Sequence, residues 1–202
     1  MLTSTKKRAD LSYGLVHLTR ERNEYETPQA VEASRTPKRV VPAFDVLKEI
    51  LTSGYLKGSG NDGYVKGKQR AVCLSEVPLS AVHQFASSPE DTLARYRYYG
   101  LALSKSAVFS LGGRPVIYLP DSEASWIPEH ERWRHVRFEH GAVDFTHERE
   151  WRVAGDLQLS NVPGLYVIVW SASEAKEIAQ LSSPVSHLIR GILPMEHIIQ
   201  LL

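Results

Sequence analysis

One cysteine, Cys73, in 202 residues has no partner for an internal disulfide, so no disulfide framework is expected. Metal-ligand spacing is also missing. Histidines 130, 135, 140 and 147 are scattered through and just beyond a charged stretch, HERWRHVRFEHG, in no pattern that closes a zinc shell, and no metal is expected. An excess of either charge is absent: 24 Lys+Arg stand against 23 Asp+Glu, leaving a net charge of +1. No global field then steers nucleic acid or a membrane surface, and any polyanion site has to be local. No apolar run approaches the roughly 20 residues that span a bilayer. The basic opening MLTSTKKRAD is followed by no apolar stretch of signal-peptide length. These absences predict a cytoplasmic protein in a reducing compartment, without a membrane partner. Internal repeats and low-complexity tracts are lacking too.

A chain of 202 residues fits one domain spanning 1–202. Residues 1–12 read as a flexible leader. Residues 14–19 (GLVHLT) read as a first strand, followed by a charged loop over 20–39 that holds two prolines. Between 41 and 53, Phe44, Leu47, Ile50 and Leu51 recur at helical spacing, with Pro42 early and Gly54 just past the end. The Gly- and Lys-rich stretch 57–70 reads as a loop that supplies no core face. Further strands are predicted at 71–75, 98–103, 115–119 and 166–170, and helices at 78–85 and 173–181. Ser104 is placed to cap a short helix that Gly112 and Gly113 end. A strand and a short closing helix finish the chain. Strands and helices alternate irregularly, which favours an α+β fold over a doubly wound parallel sheet.

The residues 146–152, THEREWR, carry the strongest chemical pattern. If they are extended, Glu148, Glu150 and Arg152 share one face and Trp151 anchors the other in a core. Such a strand holds its carboxylates rigidly enough to preorganise a site; the alternative is a solvated run of paired charges. A fixed carboxylate suits stabilising a positive charge that develops on a ribose carbon, the role assigned to Glu150. Glu148, about 7 Å along the same face, is placed to orient or deprotonate an incoming nucleophile. His17 and Thr19, two apart on the first strand, can hold ribose or amide groups by hydrogen bonds; the histidine can equally be half-buried and satisfied by backbone. Ser75 is either a site residue or a helix cap. Tyr96, Tyr98 and Tyr99 offer a stacking platform or core rings, and Lys105 and Arg114 offer phosphate contacts or solvated charges.

Three blocks, VCLSEVPLSAV at 72–82, YYGLALSKSAVFSLGGRPVIYL at 98–119 and EREWR at 148–152, resemble the AbiGi family of abortive phage-resistance proteins. HLT at 17–19, followed by a helix and the turn ILTSGYL, resembles the opening of DarT-type ADP-ribosyltransferases. The resemblance implies an ADP-ribosyltransferase-like fold of split antiparallel or mixed β-sheets with short peripheral helices. It implies NAD as a substrate, held by His17 and Thr19. Ser75 takes the second-strand position, with Tyr98 or Tyr99 as alternatives, and Glu150 is the late glutamate of an ExE pair begun by Glu148. The implied activity is transfer of ADP-ribose to a nucleic acid or protein acceptor by a toxin-like effector with a cognate antitoxin. Two rival readings are a non-enzymatic antitoxin or sensor, and a nuclease holding a divalent cation on Glu76, Glu148 and Glu150.

Overall fold

Apolar residues on alternate positions, and in places on successive ones, draw seven short segments into one sheet. They are β1 (Gly14–Leu18), β2 (Ala71–Ser75), β3 (Gly100–Ser104), β4 (Arg114–Pro115), β5 (Glu150–Ala154), β6 (Leu165–Val169) and β7 (Ile189–Pro194). The computed structural model describes residues 12–25, 37–60, 64–84, 86–89 and 96–201. The leader expected over 1–12 therefore lies almost wholly outside the described residues, as do parts of the loops expected over 20–39 and 57–70 and the end of the helix expected at 78–85.

The sheet runs β7-β6-β3-β1-β2-β5-β4. Neighbours are antiparallel except β6 and β7, which are parallel. With a few short helices around it, the architecture is mixed α+β. Among the described residues the α-helices are α1 (Ala43–Ser53), α2 (Lys105–Ser110), α3 (Ala172–Gln180) and α4 (Met195–Ile198). Among the described residues no helix is long and apolar enough to cross a membrane.

The main core lies between α1, α3 and one sheet face, where Leu47 and Leu51 of α1 and Ile178 of α3 meet Leu15, Leu74, Leu101, Val153 and Val167. Leu47 and Leu51 are one helical turn apart, so both fall on the buried stripe that the sequence spacing predicts. Gly54 ends α1 with a left-handed φ of 74° and donates its N–H to the Ile50 carbonyl. That conformation carries a steric cost for any residue with a Cβ. The opposite face holds a second cluster in which Val16, Tyr98, Ile168 and Met195 pack together. Burial on both faces explains why β6 reads as a nearly unbroken apolar run rather than an alternation.

Elsewhere the structure departs from the sequence expectation. Residues 79–84 form a 3₁₀ rather than an α-helix, and the strand expected at 115–119 is two pieces. Arg114–Pro115 pairs with β5, whereas Ile117–Leu119 pairs with His135–Arg137. The stretch 57–70 does supply a core residue, because Val65 is buried against Ala71 and Trp133. The extended run expected over THEREWR starts only at Glu150. Thr146–Glu148 is a single 3₁₀ turn, and Arg149 adopts a left-handed φ of 47°.

Candidate active site at a near-break in the sheet

β1 and β3 pair along five positions, but β1 and β2 share only one, Val16 opposite Ser75. A Cβ at Gly100 would run into the His17 carbonyl, so glycine is what lets β3 close on β1 here. On the other side of β1 the strands part. The Cys73 carbonyl, which an uninterrupted ladder would pair with a backbone N–H, accepts instead from His17 Nδ1 at 2.8 Å. A carbonyl only accepts, so Nδ1 carries the hydrogen. Burial holds the imidazole below its ordinary pKa of 6.5, against the opposing effect of the Cys73 bond. In the neutral ring the remaining lone pair is then at Nε2.

A cleft of about 1180 Å³ opens along this near-break, and His17, Thr19, Ser75, Glu148, Glu150 and Arg152 all line it. Register brings three of them, with Cys73, into neighbouring rows. Glu150 lies opposite Ser75, and Arg152 lies opposite Cys73, so these side chains share one face of β2 and β5. Trp151, pointing the other way, packs against the main core, as its place in the motif predicts.

Glu150 is buried, at 9% exposure, and Arg152 more so, at 1%. Arg152 Nε reaches Glu150 Oε1 at 2.8 Å and its Nη2 reaches Oε2 at 3.3 Å, a two-point ion pair. The backbone N–H of Glu150 donates to the Tyr118 hydroxyl at 3.1 Å, and that hydroxyl in turn donates to the Phe145 carbonyl at 3.2 Å. Burial, with the nearby carboxylates, pushes the Tyr118 phenol up to about 12, so it stays protonated. The Cys73 thiol is pushed up to about 12 by burial first and the Glu150 carboxylate second, which leaves no thiolate to act as a nucleophile.

The turn that carries Glu148 into the same cleft is held from β2. Ser75 donates its hydroxyl to the Glu148 carbonyl, and the Glu76 N–H reaches the Arg149 carbonyl at 3.2 Å. A left-handed non-glycine residue such as Arg149 costs roughly 1–2 kcal/mol, and these two bonds help offset it. Ser75 is therefore engaged with the turn, neither capping a helix nor holding its hydroxyl hydrogen free. Thr19 is engaged as well. Its hydroxyl lies 2.9 Å from the Ala43 carbonyl and 3.2 Å from the Tyr99 carbonyl, tying the end of β1 to the start of α1.

Tyr98, Tyr99 and Lys105 do not line the cleft, nor does Arg114, which donates to the Phe109 and Gly113 carbonyls. Of the expected stacking platform Tyr96 lines the cleft, but the other two rings are core: Tyr98 lies against Trp170 with ring centroids 5.4 Å apart, and Tyr99 lies 5.3 Å from Phe44 while its hydroxyl donates to Glu174 at 2.6 Å. Strand-flanking tyrosines with apolar neighbours on both faces have core to fill before they have ligand to meet. Lys105 pairs with Glu76 at 2.7 Å, and Trp151 Nε1 donates to the same carboxylate at 2.9 Å. Glu76 is thus spent on that knot and is not among the lining residues, so the three carboxylates of the nuclease reading do not converge. Among the described residues no group of three or more His, Cys, Asp or Glu is arranged to hold a metal ion.

Arg152 and Tyr118 had no assigned role from sequence. Arg152 carried a usable signal, its place two residues after Glu150 on one strand face; Tyr118 carried none, since its contact with Glu150 spans 32 residues. Comparison of the chain with protein-family models, with curated proteins and with solved structures returns no match.

Proposed function

We propose that this chain is an NAD-dependent ADP-ribosyltransferase of cytoplasmic phage defence, an AbiGi-like effector that moves ADP-ribose from NAD to a nucleic acid or protein acceptor. The observation that carries the reading is the convergence of His17, Ser75 and Glu150, from three adjacent strands, on one cleft at the point where β1 and β2 part. We read that near-break as the split of an ADP-ribosyltransferase-like sheet. The cleft volume exceeds the roughly 300–1,000 Å³ of ordinary small-molecule pockets, which leaves room for a dinucleotide beside an acceptor.

In this reading the bond between C1 of the nicotinamide ribose and the ring nitrogen breaks, and its electron pair leaves with nicotinamide. Positive charge develops on the ribose carbon. Glu150 lies where a carboxylate stabilises that charge or accepts from a ribose hydroxyl, because Arg152 occupies only part of the acceptor capacity of its two oxygens. The neutral His17 offers Nε2 to another hydroxyl. Glu148 takes the proton of the acceptor nucleophile as the new bond to C1 forms.

The test is incubation of the purified protein with radiolabelled NAD and host lysate. Label should pass to a macromolecule with wild type, and Glu150→Gln should lower that transfer by roughly 10²-fold or more. Transfer left intact by Glu150→Gln, or no labelled product and no nicotinamide release with wild type, would remove the proposal. A second reading, a non-enzymatic antitoxin or sensor, draws on the same ion pair, since a buried two-point Arg–Glu contact also suits a purely structural carboxylate. Growth arrest on expressing the chain alone, relieved by Glu150→Gln, separates the two.

A further inference from the structure

We infer that Arg152 is the positioning residue of the site, holding the Glu150 carboxylate in its working orientation; this rests on the transferase reading above. A guanidinium has five N–H donors in a rigid plane. At Arg152 each of them meets an acceptor. Nε and Nη2 face the two oxygens of Glu150, Nη1 donates to the carbonyls of Trp133 at 2.7 Å and His135 at 3.2 Å, and Nη2 also reaches the Tyr64 carbonyl at 3.5 Å.

The three carbonyls belong to segments outside β5, so backbone fixes the guanidinium from behind, with the Cys73 side chain beside it. Its plane sets the plane of the carboxylate in front of it. Glu150 cannot rotate without giving up one of two charge-assisted bonds in a site where water has little access to replace it. The backbone end of Glu150 is fixed separately, by its N–H on Tyr118 and its carbonyl accepting from Val116 at 3.0 Å. Both ends of the residue are therefore held, and at the side-chain end Arg152 supplies the two charge-assisted bonds, with the Cys73 thiol alongside.

A lysine at 152 keeps the charge but offers a single tetrahedral ammonium, which cannot serve two carboxylate oxygens and the carbonyls behind it at once. The experiment measures nicotinamide release and NAD affinity for wild type, Arg152→Lys, Arg152→Gln, Glu150→Gln and the double variant Glu150→Gln/Arg152→Lys. Rates are expressed per folded molecule, with the folded fraction taken from near-ultraviolet circular dichroism. The expected result is a roughly 100-fold lower kcat in Arg152→Lys with the NAD dissociation constant little changed. In the Glu150→Gln background the lysine should lower kcat no further.

An unchanged kcat in both single Arg152 variants, or an equal loss with and without the Glu150 carboxylate, would overturn the positioning role while leaving the transferase reading in place. Wild-type protein that neither binds nor cleaves NAD would overturn both, and it is recognised before any variant is compared.

Discussion

On β3 and β6 both faces of the sheet bury hydrocarbon, with Leu101, Leu103, Leu165 and Val167 toward one core and Ile168 toward the other. On β2 and β5 one face does so along its length, through Val72, Leu74 and Val153; the other buries hydrocarbon only at one end, where Ala71 and Ala154 pack with Val65 and Trp133, and otherwise carries Cys73, Ser75, Glu150 and Arg152. The two regions belong to one sheet and are separated by β1, yet the first is stabilised by area removed from water and the second by mutual satisfaction of buried polar groups. A well-packed hydrophobic pair often replaces a buried ion pair without loss of stability, although here it would also remove the donors to the Trp133 and His135 carbonyls. A desolvated ion pair beside a cleft suits the proposed site, although a structural carboxylate can be held in the same way.

The comparison can be broken most forcefully at Arg152. Removing it by Arg152→Ala leaves Glu150 buried without its partner, and the expected loss is about 3–5 kcal/mol of unfolding free energy. Replacing both members, as Glu150→Leu with Arg152→Met, removes the unpaired carboxylate and should recover part of that loss in a denaturant titration while ADP-ribose transfer stays absent. Stability that fails to recover in the double variant would mean that the second region does not separate fold from function in this way.

On the apolar side, Leu165→Ala deletes a fully buried side chain and should cost about 2–5 kcal/mol by the same titration. Its effect on the cleft should be confined to the fraction folded, with NAD affinity per folded molecule unchanged. A specific loss of affinity would show the two regions to be coupled.

The smallest effect concerns His17. Its folded pKa lies below the ordinary 6.5, so below that pH the unfolded chain takes a proton at this ring that the folded chain resists. The contribution of the neutral ring is fully present above pH 6.5 and is lost as pH falls toward the folded value. The melting temperature should therefore drop more between about pH 7.5 and about pH 5 in wild type than in His17→Gln. Parallel pH profiles for the two proteins would contradict the buried, neutral imidazole.

Much of this contrast could be read from the sequence on the apolar side. Leu47, Ile50 and Leu51 between Pro42 and Gly54 define α1, Ser104 does accept from the Ala107 N–H at the start of α2, and YVIVW marks a strand buried on both faces. These are local periodicities and caps, which need no knowledge of the rest of the chain. On the polar side the motif EREWR falls largely on β5, and the placement of Trp151 and the shared face of Glu150 and Arg152 follow from alternation alone. What alternation could not supply was the left-handed turn at Arg149, a residue with no local signal for that conformation, or the near-break between β1 and β2. Nor did it supply the Tyr118 hydroxyl beneath Glu150. Each of these depends on pairings between segments far apart in the chain, as does the conversion of Tyr98 and Tyr99 from a ligand platform into core.

The central claim is that the cleft at this near-break is an NAD site, and isothermal calorimetry of NAD against wild type and His17→Ala tests it most directly. The account predicts binding to wild type, weakened or lost in His17→Ala and retained in Glu150→Gln. No heat of binding with correctly folded wild type, or equal affinity for wild type and His17→Ala, would contradict it.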